Sequence, residues 1–293
     1  MIRSLKDISG LAKLKGPMKL AVLAPEDEEF MLAVKKSWEM GYIEPVLIGS
    51  KGKMTEIAGR IGFDIGKFEI IVNEDRQAIS NLGIGMVFSG ALPIASKGQI
   101  PTSYIYKSII REEAKAGSGM NVSVVSFWEV PGEDHLVAFT DTGVNIRPDL
   151  NAKIKICQNA VFLLKLLGTQ KPRISVLSGQ RGATEKLQSF IDYEHLRKSA
   201  ESGELGDCEI IKPYSFTDMF VNGSGLPDIL LVPCLDTGNV LCKLDFFLDV
   251  SRCSLVATSR GPICIPARSD FSDNIADQIA LSVVVADRMK GGE

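Results

Sequence analysis

The feature that most constrains this chain is a regular alternation of short apolar runs with segments of helical spacing. "KLAVLAP" (19–25) is a buried-strand pattern. "EDEEFMLAVKKSWEMG" (26–41) repeats its apolar residues at helical intervals and stops at Gly41, and "EPVLIG" (44–49) is the next strand. "KMTEIAGRIG" (53–62) predicts a short helix and "FEIIV" (68–72) a third strand. Repeated β and α segments of this kind predict a parallel sheet covered by helices on both faces.

The rhythm breaks near residue 122. "VSVVSFWEV" and "HLVAFTDT" are joined by the turn sequence "PGED", which predicts an antiparallel hairpin and the entry to a second domain. Pro148 and Asp149 then open a long helix that Gly168 ends, the usual punctuation of proline inside the start and glycine past the end. "RISVLSG", "CEIIK", "DILLVP" and "SLVATS" supply further strands, and a charged helix runs to about Ser202. The last helix, "FSDNIADQIALSVVVADRM", is expected to pack back on the first domain. Residues 1–121 with 262–293 are assigned to the first α/β domain and 122–261 to the second.

A chain of 293 residues suits two domains. A formal charge of −3 gives no basis for nucleic-acid or membrane-surface binding through bulk charge. The longest uncharged stretch, Asn81 to Ser96, is broken by Gly83, Gly85, Gly90 and Pro93 and is shorter than the roughly 18 apolar residues of a membrane span. With no secretory signal pattern at the start, a cytoplasmic location is expected. The six cysteines lack C-x-x-C spacing and read as buried, reduced thiols, and the histidines His135 and His195 stand alone, so no metal site is expected.

Several nucleotide and hydrolase signatures are missing. There is no G-x-x-x-x-G-K-[ST], no G-x-S-x-G, and "GIG" (83–85) lacks the third glycine of a dinucleotide fingerprint. Three loop segments carry more chemistry. In "FTDTGVNIRPDL" (139–150), Asp141 and Asn145 precede a helix, where free backbone N–H groups can hold an anion. On spacing alone the plainer reading is favoured, that both satisfy local backbone groups. In "ILLVPCLDTGNVLCK" (229–243), Asp236, Gly238, Asn239 and Lys243 follow a strand. Gly238 would let a ligand approach the backbone, or the segment is an ordinary capped helix. In "PARSDFSDN" (266–274), Arg268 stands before a helix and suits a phosphate, or it forms a surface salt bridge to Asp270 or Asp273.

Taken together, "LAVLAPEDEEFMLAVKKSWEMGYIEPVLIGSK", "WEVPG", "FTDTGVNIRPDLNAKIKICQNAV", "DILLVPCLDTGNVLCK" and "PARSDFSDNIADQIALSVVVA" resemble, in order and spacing, the phosphate acetyl/butyryl transferases, and the butyryltransferase branch most. The resemblance covers about residues 19–287. It implies two α/β domains with largely parallel sheets and an interdomain cleft, an architecture like that of isocitrate and isopropylmalate dehydrogenases. It implies transfer of a short acyl group between coenzyme A and inorganic phosphate, with acyl-CoA as a substrate and not a resident cofactor. It also implies a homodimer or larger assembly.

Carried over by position, the resemblance assigns catalysis to Arg268, Asp273 and Asn274. Coenzyme binding falls to Asp236, Gly238, Asn239, Lys243 and Arg268, and phosphate or substrate binding to Lys107, Ser89, Asp141 and Asn145. The chain departs from the pattern at several of these places. The family's Ser-Arg pair reads Ala267-Arg268, and the acid seven residues beyond that serine falls at Asn274, leaving Asp273 one residue away. An expected arginine becomes Lys107, another becomes Met120, the lysine of an M-K-G motif falls at Ser89, and a tyrosine becomes Cys242. Three activities fit these departures: a phosphate acyltransferase with altered residues, a catalytically impaired acyl-CoA-binding or regulatory protein, and a transferase with a different acceptor.

Overall fold

The computed structural model describes residues 2–182, 184–218, 225–248 and 250–291. They form two compact units. The first is built from Leu5–Val122 and Cys253–Glu293, the second from Ser123–Arg252 and the short N-terminal stretch, where the Ile2 N–H donates to the Leu167 carbonyl at 3.0 Å. The chain re-enters the first unit at Cys253, ahead of the division expected at residue 262. That point lies inside a strand of mostly buried residues, where composition does not change.

The first unit opens with helix α1 (Leu5–Lys15), strand β1 (Met18–Leu23), α2 (Glu28–Glu39), β2 (Ile43–Gly49), α3 (Lys51–Arg60) and β3 (Glu69–Val72). It continues through α4 (Arg76–Phe88), β4 (Ile94–Lys97) and α5 (Thr102–Ala116). Aspartates start two of these helices by accepting an N–H from the first turn: Asp27 from Phe30 at 3.0 Å and Asp75 from Ala78 at 2.7 Å.

The second unit holds the antiparallel hairpin β5 (Val124–Glu129) and β6 (Leu136–Thr140), then α6 (Leu150–Leu166), β7 (Arg173–Val176), α7 (Gln188–Glu201) and β8 (Glu209–Ile210). Strand β9 (Ile229–Leu231) and helices α8 (Leu235–Lys243) and α9 (Asp245–Leu248) follow. Asp149 caps α6 by accepting from Ala152 N–H at 2.8 Å, and Gly168, at φ +100°, ends it. Strand β10 (Ser251–Val256), β11 (Ile263–Cys264) and the long α10 (Ser272–Lys290) complete the chain.

Within the first unit the strand order is β3-β2-β1-β4-β11-β10, parallel except for β10 against β11. The chain moves outward from β1 to β3, then crosses back to place β4 on the other side of β1. With right-handed crossovers this puts helices on both faces. Helix α10, with an unbroken buried run from Gln278 to Ala286, packs on α1 and α2 as the sequence implied. In the second unit the order is β5-β6-β9-β7-β8, with every pair but the hairpin parallel. The expected α/β character with largely parallel sheets is therefore present. No helix among the described residues is long and apolar enough to cross a membrane.

Candidate functional site

In an open parallel sheet, ligands bind beyond the carboxyl ends of the strands where the strand order reverses. In the first unit that point lies between β1 and β4. The loops leaving them touch backbone to backbone: Gly98 N–H donates to the Leu23 carbonyl at 2.8 Å and Gln99 N–H to that of Ala24 at 2.9 Å. A Cβ on residue 98 would stand 2.4 Å from the Ala24 carbonyl oxygen, so only glycine fits there.

Immediately before it, Lys97 ends β4 with only 5 % of its surface exposed. Its Nζ donates to the Pro266 carbonyl at 3.2 Å and, more weakly, to that of Gly98 at 3.4 Å. Among the described residues it has no carboxylate partner. Burial pushes its pKa below the ordinary lysine value, and the nearby charge of Arg268 lowers it further, against opposing pulls from Cys264 and Asp270. A buried cation without a counter-ion is costly, and it marks a place built to receive an anion.

Arg268 follows β11 on a closed turn. Asp270 N–H donates to the Ala267 carbonyl at 3.2 Å, while the Asp270 carboxylate accepts from Ala267 N–H at 2.9 Å and from Gln278 Nε2 at 2.8 Å. The salt bridge offered as the plain explanation of Arg268 does not form. Asp273 pairs with Lys36 Nζ at 2.6 Å, and Arg268 stays exposed, with no ion-pair partner among the described residues. Asp273, expected as a proton handler, is thus tied on the outer surface. Lys36 also donates to Ser272 Oγ at 3.0 Å. Asn274 lies in the first turn of α10 and is partly exposed.

The structure separates Ser89 from this group. Ser89 is the C-cap of α4, exposed, with its hydroxyl donating to the Met86 carbonyl at 3.1 Å. It stands at the amino end of β4, so it cannot share the anion site. The K-G pair that follows a strand is Lys97-Gly98, which the sequence reading overlooked. The signal was available in "IASKGQIPTS", a lysine and glycine between a strand and a helix start. Lys107 sits in the second turn of α5, exposed, its Nζ 6.0 Å from the centre of the Tyr104 ring. Met120 brings no charge to its turn.

In the second unit the loop after β6 is closed on itself. Asp141 is 2 % exposed. Its carboxylate accepts from the N–H groups of Val124 at 2.9 Å, Gly143 at 3.0 Å and Asn145 at 2.7 Å, from Val144, and from Asn145 Nδ2 at 2.6 Å. The backbone donors that could have held an anion are therefore filled by this residue, and Asp141 and Asn145 shape the loop from within. Gly238 faces no open space either. A Cβ there would meet the Asp141 carbonyl oxygen at 2.7 Å, so the glycine lets α8 pack on the loop and not a ligand on the backbone.

Asp236, Asn239 and Lys243, spaced three and four apart, share one exposed face of α8. Among the described residues the side chains of Asn239 and Lys243 make no ion pair or hydrogen bond, so that face is free to meet a polar ligand. The position of the missing tyrosine, Cys242, is turned inward, its thiol donating to Ser126 Oγ at 3.4 Å.

Cys234 caps α8. Hydrogen bonding from the Thr237 hydroxyl, 3.4 Å away, and from the first-turn N–H groups lowers its thiol pKa. Burial instead raises the thiols of Cys208, Cys242, Cys157 and Cys264, the last to about 12. Iodoacetamide is expected to label Cys234 first in the native protein and to spare Cys157 and Cys264 until unfolding. Peptide mass spectrometry over time checks this, and first labelling at Cys208 or Cys242 would contradict it. Among the described residues no group of three or more histidine, cysteine, aspartate or glutamate side chains could hold a metal.

A family model described as phosphate acetyl/butaryl transferase matches residues 98–202. The phosphate butyryltransferase of Clostridium acetobutylicum is 26 % identical over 98 % of this chain and 99 % of its own length. The phosphate acetyltransferase of Rhizobium meliloti is 28 % identical over 96 % of this chain and 93 % of its own. Among solved structures, a branched-chain phosphotransacylase from Enterococcus faecalis V583 superposes with a TM-score of 0.74 at 21 % identity, covering 93 % of this chain and 99 % of that one, which shows a common fold. By sequence over nearly its whole length the chain is similar to phosphate butyryl- and acetyltransferases, and by the architecture of its strands it shares a fold with a solved phosphotransacylase.

Proposed function

We propose that the protein transfers a short acyl group between coenzyme A and inorganic phosphate, in the cytoplasm and as a homodimer or larger assembly. The observation that carries the reading is Lys97, a buried ammonium with no carboxylate partner at the carboxyl ends of parallel strands, within the field of Arg268. A phosphate oxygen attacks the thioester carbonyl carbon, the new C–O bond forms, the C–S bond breaks, and the thiolate leaves. Lys97 and Arg268 neutralise the attacking phosphate and hold it for reaction. Lys97, with its lowered pKa, also supplies charge or a proton to the departing sulfur. Asn239 and Lys243 present one helix face to the coenzyme's polar groups. Self-association is supported by exposed apolar side chains on α8 and α9, with Val240 60 % and Phe247 78 % exposed.

Ala267 leaves this chemistry without a hydroxyl beside Arg268. Its side chain is exposed, so a serine fits without displacing anything. One transition-state donor is worth about 10²–10³ in rate. Ala267→Ser is expected to raise turnover by at least tenfold, measured as thiol release from butyryl-CoA with phosphate. A second reading, coenzyme binding without turnover, is favoured by the engagement of Asp273 with Lys36, which removes the nearest candidate base. A third, transfer to another acceptor, is favoured by Met120 in place of a cation. Calorimetric binding of butyryl-CoA with no thiol release by either the native protein or Ala267→Ser would overturn the transferase reading.

A further inference from the structure

The first unit carries a cavity of about 300 Å³ at the end of its strands opposite Lys97. It lies at the C-terminal ends of α4 and α10, against the residues that precede β4 and β11, and Ser89 stands on its rim. Strand β4 separates it from Lys97 by roughly 13 Å, given a rise of about 3.3 Å per residue.

The chemistry of this cavity is one-sided. Arg260 and Lys290 line it, and among the described residues no aspartate or glutamate does. Neither cation has an ion-pair partner among the described residues. The hydroxyls of Ser89 and Ser259 already donate, to the Met86 carbonyl and to Glu113 Oε2, so the two cations are the donors left for a ligand. The remaining wall is apolar, with Val87, Leu92, Ala286 and Met289.

The loop that presents Arg260 is fixed in advance. Glu113, 4 % exposed, accepts from the Ser259 N–H at 2.8 Å and from its hydroxyl at 2.7 Å. Thr258 Oγ1 accepts from the N–H groups of Arg260 at 3.2 Å and Gly261 at 3.1 Å, and donates to the Gly261 carbonyl at 2.6 Å. A Cβ on Gly261 would stand 2.5 Å from the Pro93 carbonyl oxygen, so the loop is pressed directly onto the start of β4. A guanidinium held on so firm a base, unpaired and beside an apolar wall, is preorganised for binding.

We propose that this cavity binds a small amphipathic anion, a short-chain aliphatic carboxylate whose charged end meets Arg260 and Lys290 and whose chain lies on the apolar wall. The volume sits at the lower end of ligand pockets and excludes a whole coenzyme nucleotide. The site is separate from the proposed transfer chemistry and does not depend on it.

The test is calorimetric titration of the full-length protein with sodium butyrate, sodium hexanoate and inorganic phosphate at constant ionic strength. Butyrate is expected to bind one per chain, and hexanoate more tightly, by about fourfold per added methylene. Arg260→Gln and Lys290→Gln, both at exposed positions, are each expected to weaken butyrate at least tenfold with no change in thermal unfolding. Lys97→Met, which strikes the proposed phosphate site, leaves the butyrate titration unchanged. Butyrate binding that survives both cavity substitutions, binding lost in Lys97→Met, or phosphate binding here as tightly as hexanoate would each overturn the proposal.

Discussion

Replacing Lys97 with methionine is expected to lower phosphate-dependent turnover by about 10²–10³ and at the same time to stabilise the protein by about 1 kcal/mol. The two effects have one cause. The ammonium is buried against two carbonyl oxygens, has no carboxylate in salt-bridge contact among the described residues, and feels the charge of Arg268 against the weaker opposing pull of Asp270. Its folded-state pKa therefore lies below the ordinary 10.5, chiefly through burial. Below the folded-state value both folded and unfolded chains carry the proton, and the folded chain bears the full cost of holding it out of water. Between that value and 10.5 the unfolded chain binds more protons, so native stability climbs with pH through this window. Methionine fills a similar volume and carries no charge. The variant should be more stable at neutral pH and should lack the rise toward pH 10. Urea unfolding at several pH values, with initial rates of thiol release, checks both halves. A variant that remains active, or that gains nothing in stability, would remove Lys97 from the anion site.

A second substitution is expected to act in the opposite sense. Lys153 on α6 and Asp192 on α7 meet at 2.6 Å with 5 % and 0 % of their side chains exposed. The other Asp192 oxygen accepts from Gln188 Nε2 at 2.9 Å, so the carboxylate is satisfied on both sides. Lys153→Met leaves it buried without a counter-ion, and breaking such a pair costs about 3–5 kcal/mol. The double variant Lys153→Met, Asp192→Leu removes both charges and is expected to recover most of the loss, because apolar replacement of a whole buried pair is often neutral. Chemical unfolding of the two proteins separates these outcomes. Equal destabilisation of the single and double variants would mean that packing volume and not charge decides the site.

Much of the framework was legible in the order of residues. The runs that became β1, β2 and β3 are continuous apolar stretches, and Asp149 with Gly168 frame α6 because caps act locally. "PGED" turns β5 onto β6 for the same reason. The failure around residues 81–97 is equally physical. Helix α4 is interrupted by Gly83 and Gly85, so no helical period announces its end at Phe88. Strand β4 is four residues long and half polar. With both boundaries hidden, the lysine was sought at Ser89 and missed at Lys97. Position 268 was readable because the strand before it and the helix after it fix its place. That its neighbours Asp270 and Asp273 would turn to Gln278 and Lys36 was not, since those partners come from elsewhere in the fold. The burial of Lys153 likewise depends on a partner from elsewhere in the fold, Asp192 on α7.

The carboxylate of Asp141 stands inside its own loop as a resident guest would, holding every donor that a visiting phosphate might seek. That loop takes its final form as the polypeptide folds, with no substrate needed to mould it.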